Sequence, residues 1–165
     1  MNIIILFFEK QLKEEAANTR KMLKIVPEDR YDWRPHPKSM SIRQLATHIA
    51  ELPSWIPLGI DTDMLDFATG NYSPTLIDNN EGLMAVFEDN QLKAELALPK
   101  TTDEYLQNPW TMKNGDQEYF TMSKEDLIRT ALSQTIHHRA QLGVFLRLLD
   151  IPIPGSYGPS ADETF

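Results

Sequence analysis

The sequence predicts an all-α fold: a four-helix bundle with a small β-hairpin before the last helix, in one domain over residues 1–165. Three observations predict it. Four segments carry apolar residues at three- and four-residue intervals, the spacing of a helix face packed on a core. One long connection separates the second segment from the third, as in bundles with a crossover. Asn114-Gly115-Asp116 stands between two strand-like runs, and Asn-Gly tolerates the positive φ of a tight hairpin turn.

The first helix is expected from about Asn2 to Ile25, with Ile5, Phe8, Leu12, Ala16, Thr19 and Leu23 along one stripe and Pro27 ending it. An irregular stretch follows, containing Pro35 and Pro37. The second helix opens at Ser41, which has Gln44 three residues on in capping-box spacing. Ile42, Leu45, Ile49 and Leu52 form its apolar face, and Pro53 and Pro57 should kink or end it. The crossover from Gly59 to Asp78 has room for a short helix at Thr62–Ala68, before Gly70 and Pro74. The third helix, about Asn79 to Leu98, uses Leu83, Val86, Phe87 and Ala94 and is closed by Pro99. The hairpin, 109–113 and 117–121, reads as a decoration on the bundle. The fourth helix begins at Ser123, with Asp126 as capping partner, and runs to about Leu149. The tail from Ile151 to Phe165, rich in Pro and Gly, should lie extended over the bundle.

Composition narrows the function. With 41% hydrophobic and 24% charged residues the chain has ordinary globular composition, which argues against general disorder. The absence of Cys removes disulfides, thiolate nucleophiles and Cys-ligated zinc. Sixteen Lys+Arg against 24 Asp+Glu give a net charge of -8 with no basic cluster, which speaks against nucleic acid as a partner. Between Gln44 and Leu92 there is no Lys or Arg but there are eight acids: Glu51, Asp61, Asp63, Asp66, Asp78, Glu81, Glu88 and Asp89. That stretch reads as a solvated acidic side, or as a docking face for a cationic partner. The apolar start through Phe8 lacks a cationic leader and a cleavage site and is too short to span a bilayer, so a cytoplasmic protein without membrane association is expected.

Polar residues that interrupt apolar faces mark the candidate site. In the last helix the stripe reads Leu127, Ala131, Gln134, His138, Leu142, Phe145 and Leu149, so Gln134 and His138 share one face. His48 lies between Leu45 and Leu52 on or near the buried side of the second helix. Buried imidazoles and carboxamides must be hydrogen-bonded or must bind an ion, and bundle cores recur as metal sites. The spacing leaves both readings open. No acid precedes any His by three residues, which trims a carboxylate di-iron centre, and neither His-Glu-x-x-His nor Gly-x-Ser-x-Gly occurs. Glu51, three residues after His48, is a candidate base. His137 falls one step off the stripe and His36 lies in a loop between two prolines. Trp33, Trp55 and Trp110 are candidates for lining a small-molecule pocket or for core packing.

Residues 26–41, Leu45-Ala46-Thr47-His48-Ile49-Ala50-Glu51-Leu52-Pro53, Asn108-Pro109-Trp110-Thr111, Ile136-His137-His138-Arg139-Ala140-Gln141-Leu142, and 157–163 form a combination spread over nearly the whole chain. Together they resemble the DinB-like family, the DNA-damage-inducible or metal-dependent hydrolase-like superfamily. The resemblance implies an up-down-down-up bundle, a homodimer, and a metal site of three His. His48 and His138 match two of those ligands. The third ligand position holds Gln134, and Ala140 replaces the usual Gly. The implied cofactor is a divalent zinc, nickel or iron ion at His48, Gln134 and His138, weakened or lost because a carboxamide is a poorer donor than imidazole. Two functions follow from the resemblance. One is a metal-dependent hydrolase or a thiol transferase acting on a small-molecule or thiol substrate. The other is a non-catalytic, dimeric binding or stress-associated protein.

Overall fold

The computed structural model describes residues 2–70, 73 and 75–163. Pro74 of the crossover and the last two residues of the tail lie outside them. Among the described residues the fold has five α-helices and one small sheet: α1 (Ile3–Lys24), α2 (Ile42–Glu51), α3 (Trp55–Asp61), α4 (Asn80–Ala97) and α5 (Lys124–Leu148). The strands are β1 (Met64–Asp66), β2 (Pro109–Asn114) and β3 (Gln117–Ser123). α2 and α3 are two halves of one kinked arm. A 3-10 turn at Leu52–Ser54 holds Pro53, and Pro57 falls in the first turn of α3, where its missing N–H has no helical partner to lose.

Local chemistry sets most helix starts. Ser41 and Gln44 close the reciprocal capping box on α2, with Gln44 N donating to Ser41 Oγ at 3.2 Å and Ser41 N donating to Gln44 Oε1 at 2.9 Å. The Asn79 side chain accepts from Gly82 N at 2.8 Å on α4, and Ser123 Oγ accepts from Asp126 N at 3.0 Å on α5. α1 differs. Asn2 gives it no side-chain cap, and its first amides, on Ile4 and Ile5, each donate at 3.1 Å to the carboxylate of Asp103.

Where a short helix was expected at Thr62–Ala68 the chain forms β1 and a 3-10 turn at Phe67–Thr69. Long-range pairing overrides the local pattern. β1 runs parallel to β2 in the register Met64↔Thr111, Leu65↔Met112, Asp66↔Lys113, and β2 pairs antiparallel with β3 to complete a three-stranded sheet. The Asp66 carboxylate holds the corner by accepting from Ala68 N at 3.0 Å and Gly115 N at 2.9 Å. These bonds, with Lys113 beside it, keep Asp66 ionised below the ordinary carboxylate range. Gly115 supplies the positive φ (60°) of the hairpin turn.

Two apolar clusters fill the bundle. Ile5, Phe8, Leu12, Ile56, Leu98, Ile128 and Leu132 make one, and Leu23, Ile42, Leu45, Ile49, Phe87, Leu142 and Leu146 belong to the other. Along α1 and α5 a buried ion pair stands between them. Arg139, 2% exposed, meets Glu15, 5% exposed, at 2.7 Å and donates to Thr19 Oγ1 at 3.0 Å. From the tail, the Tyr157 hydroxyl accepts from Arg139 Nη2 at 2.8 Å and donates to the Glu15 carboxylate at 2.8 Å. Burial and the Glu15 carboxylate raise the Tyr157 phenol above its ordinary pKa. Arg147 and Ile153 N anchor the same tail on Asp162.

This pair corrects the stripe expected on α5. Leu127, Ala131 and Leu142 of that stripe are buried as expected, but the inward face also takes in Ile128, Leu132, Thr135, Arg139 and Leu146, while Gln134 is exposed and His138 half-buried. A guanidinium that must reach Glu15 turns the helix so that Arg139, rather than His138, points into the core.

Removing one partner of a buried pair strands the other charge, at a cost of about 3–5 kcal/mol. Arg139→Met should therefore lower the unfolding free energy by about that amount in urea titration, and Glu15→Met combined with Arg139→Met should recover most of it. Equal losses in the single and double variants would refute the pairing.

Candidate functional site

The kinked arm and the last helix bring the two candidate histidines together. The rings of His48, on α2, and His138, on α5, lie 4.7 Å apart between centroids at an interplanar angle of 76°. Both residues are half-buried. His137 is exposed, and its ring lies 4.9 Å from that of His138. His36 sits in the loop before α2, where its Nδ1 accepts from Lys38 N at 3.1 Å.

The electrostatics leave lone pairs available. Burial, and then the nearby imidazole of His138, push the His48 pKa below its ordinary value of 6.5 against an opposing pull from Glu51. His48 is thus neutral at pH 7. His138 Nδ1 lies 2.8 Å from Gln141 Oε1. A carboxamide oxygen only accepts, so Nδ1 carries a proton in this contact, which in a neutral ring leaves the lone pair on Nε2. Ligating imidazoles are commonly oriented in this way by a hydrogen bond at the other ring nitrogen.

Gln134 joins His48 at a cavity. A chamber of about 220 Å³ is lined by His48 and Leu52, Trp55 of α3, Met112, Phe120 and Met122 of the hairpin, and Leu127, Thr130, Ala131 and Gln134 of α5. A second cavity of about 570 Å³ lies on the other side of His48, between α2 and residues 75–78, with Arg43, Glu51 and Asp78 in its wall. His48 is common to both. Among the described residues no group of three His, Cys, Asp or Glu is placed to hold a metal ion.

Other expectations resolve differently. Glu51, the candidate base, has its Oε1 accepting from Thr75 N at 2.7 Å, so it holds the crossover against α2. Of the tryptophans only Trp55 lines the chamber. Trp110 is fully buried behind it, donating from Nε1 to Thr62 Oγ1 at 3.1 Å, and Trp33 packs edge-on against Phe145. The hairpin is a wall of the chamber rather than a decoration. Its period-2 alternation, which turns Trp110, Met112, Phe120 and Met122 to one face, was the signal for this. The acidic stretch is largely spent on partners. Asp63 pairs with Lys124, Asp66 with Lys113, Asp78 with Arg43, Glu88 with Arg20 and Asp89 with Lys93. No helix among the described residues is long and apolar enough to cross a membrane.

The sequence matches the model of the DinB family over residues 6–164. No curated protein matches it. Solved structures share its fold. The DinB-like protein YjoA of Bacillus subtilis is 18% identical with a TM-score of 0.68, over 90% of this chain and 96% of that one. YfiT of Bacillus subtilis, described as a probable metal-dependent hydrolase with an unusual four-helix bundle topology, is 14% identical with a TM-score of 0.66, over 90% of this chain and 89% of that one. A mycothiol-dependent maleylpyruvate isomerase is 12% identical with a TM-score of 0.58, over 84% of this chain and 60% of that one.

Nitrogen-15 NMR of the imidazoles should show His138 protonated at Nδ1 and bare at Nε2, and Gln141→Leu should shift the population toward Nε2–H. Equal tautomer populations in the unmutated protein would show that Gln141 does not orient the ring.

Proposed function

The chain belongs to the DinB family, and on that premise we propose that His48, His138 and Gln134 form a weak site for a divalent zinc, nickel or iron ion. The contact between the two imidazoles at 4.7 Å carries this reading. The donor chemistry fits: imidazoles suit these ions, and the carboxamide oxygen of Gln134 adds a third, poorer donor one helical turn from His138. An ion bound there supplies Lewis acidity, polarising a carbonyl or acidifying a water or thiol. The protein's own part is to hold His48 neutral, to orient His138 through Gln141, and to keep a largely apolar chamber beside His48 and Gln134. The activity this supports is metal-dependent hydrolysis or thiol transfer on a small molecule. The metal-dependent and thiol-dependent descriptions of two structural neighbours agree with it. Gln134 itself favours a second reading, a non-catalytic binding or stress-associated protein that keeps the chamber with a weakened ion site.

Metal uptake separates the two. Titration of metal-free protein with zinc should show one site per chain, lost in His138→Ala. Gln134→His should tighten it by at least the ~10–100-fold that changes around a ligand shell produce. No zinc binding in either the unmutated protein or Gln134→His would refute the site.

We propose further that the arms run up-down-down-up and that the protein is a homodimer. Support for self-association comes from large apolar side chains left exposed on α1 (Ile3, Leu6, Phe7) and α4 (Leu92, Leu96). Sedimentation equilibrium should give twice the 19.0 kDa chain mass, and Leu6→Glu with Leu92→Glu should yield monomer. A monomer at all concentrations would refute the dimer.

A further inference from the structure

We infer that the 220 Å³ chamber binds the flat, uncharged, apolar body of its ligand, an aromatic group of one or two fused rings whose polar substituent faces His48 and Gln134. The inference rests on reading this chamber as the ligand-binding side of the site.

Size sets the first limit. An engineered cavity of roughly 150 Å³ holds benzene, so a chamber about half as large again takes a second fused ring, and a third exceeds it. Chemistry sets the second. No Lys, Arg, Asp or Glu lines the chamber, so a charged body would give up its hydration for no countercharge. The larger cavity across His48 differs, with Arg43, Glu51 and Asp78 in its wall.

The third limit is direction. The hairpin contributes Met112, Phe120 and Met122, and α3 contributes Trp55, so one side offers thioether sulfurs and aromatic rings, both of which favour an aromatic guest. The polar lining groups, His48, Thr130 and Gln134, all come from α2 and α5. A flat ring between these walls packs on the hairpin and turns its one polar substituent toward the helices.

The probes are indole, benzoate and carbazole, titrated calorimetrically into protein held in chelator so that no metal coordinates them. Indole should bind saturably, benzoate roughly tenfold or more weaker, and carbazole, with three rings, not at all. In methionine-methyl NMR, indole should shift Met112 and Met122 and leave Met22 and Met84 unmoved. Thr130→Phe, which fills the chamber from α5, should abolish indole binding and leave zinc uptake intact. The inference is overturned if indole fails to bind, if benzoate or carbazole binds as well as indole, or if the methyls of Met112 and Met122 stay still. Indole failing while zinc still binds at His48 and His138 refutes this ligand class alone. Indole binding as expected with no zinc uptake supports it and refutes the metal reading alone.

Discussion

An arginine sealed inside a helical bundle keeps its charge, so a carboxylate must meet it and the helices must turn until it does. Arg139 and Glu15 impose that condition on α5 and α1, and Tyr157 extends it to the tail. The orientation of the candidate site follows. His138 is the next residue back from Arg139, about 100° round the helix. With Arg139 aimed into the core, His138 is left half-buried beside α2, where His48 meets it. Gln134, one turn earlier, reaches the chamber from an exposed position. The site is set at the bundle's flank by an ion pair that takes no part in it.

A second fixed charge places the opposite wall. Lys124 is fully buried at the start of α5. Its Nζ donates to the carbonyls of Gly59 and Thr62 and pairs with Asp63 at 3.0 Å. These bonds tie the end of α3 and the approach to β1 to the helix that follows β3. Asp66 adds the hydrogen bond to Gly115 that fastens the hairpin turn. The hairpin is thus held at both its base and its tip, and its apolar face stays over His48 and Gln134. Asp63 and Asp66 of the crossover region thus serve to hold the hairpin.

The elements legible in the sequence were those specified locally. The Ser41/Gln44 box, the Asn79 and Ser123 caps and the Asn-Gly turn each lie within a few residues of what they control, and the structure places them as the spacing implies. His48 and His138 were also legible. What escaped was decided at long range. A three-residue strand is too short to show a period, and Met64–Asp66 becomes one only because β2 runs beside it. The inward line of α5 was misjudged at Gln134 because an arginine in an otherwise apolar pattern reads as surface. Only its partner, 124 residues away, brings it inside. Glu51 stood at a plausible spacing for a base, and the Thr75 amide it accepts from gives it a different task.

The cap on the first helix has a consequence for synthesis. Asp103 lies about 100 residues downstream of the amides it receives, and the guanidinium that neutralises Glu15 comes later still. As the chain leaves the ribosome, its leading helix therefore emerges with an uncapped end and an unmatched carboxylate. The first defect is repaired only once Asp103 has been made and the second only once Arg139 has, and the hydroxyl of Tyr157 comes after both. Contacts of such sequence separation fold slowly and leave apolar surface open in the meantime. Closure of this bundle accordingly waits for α5, and Tyr157 follows it to join the charge at the centre.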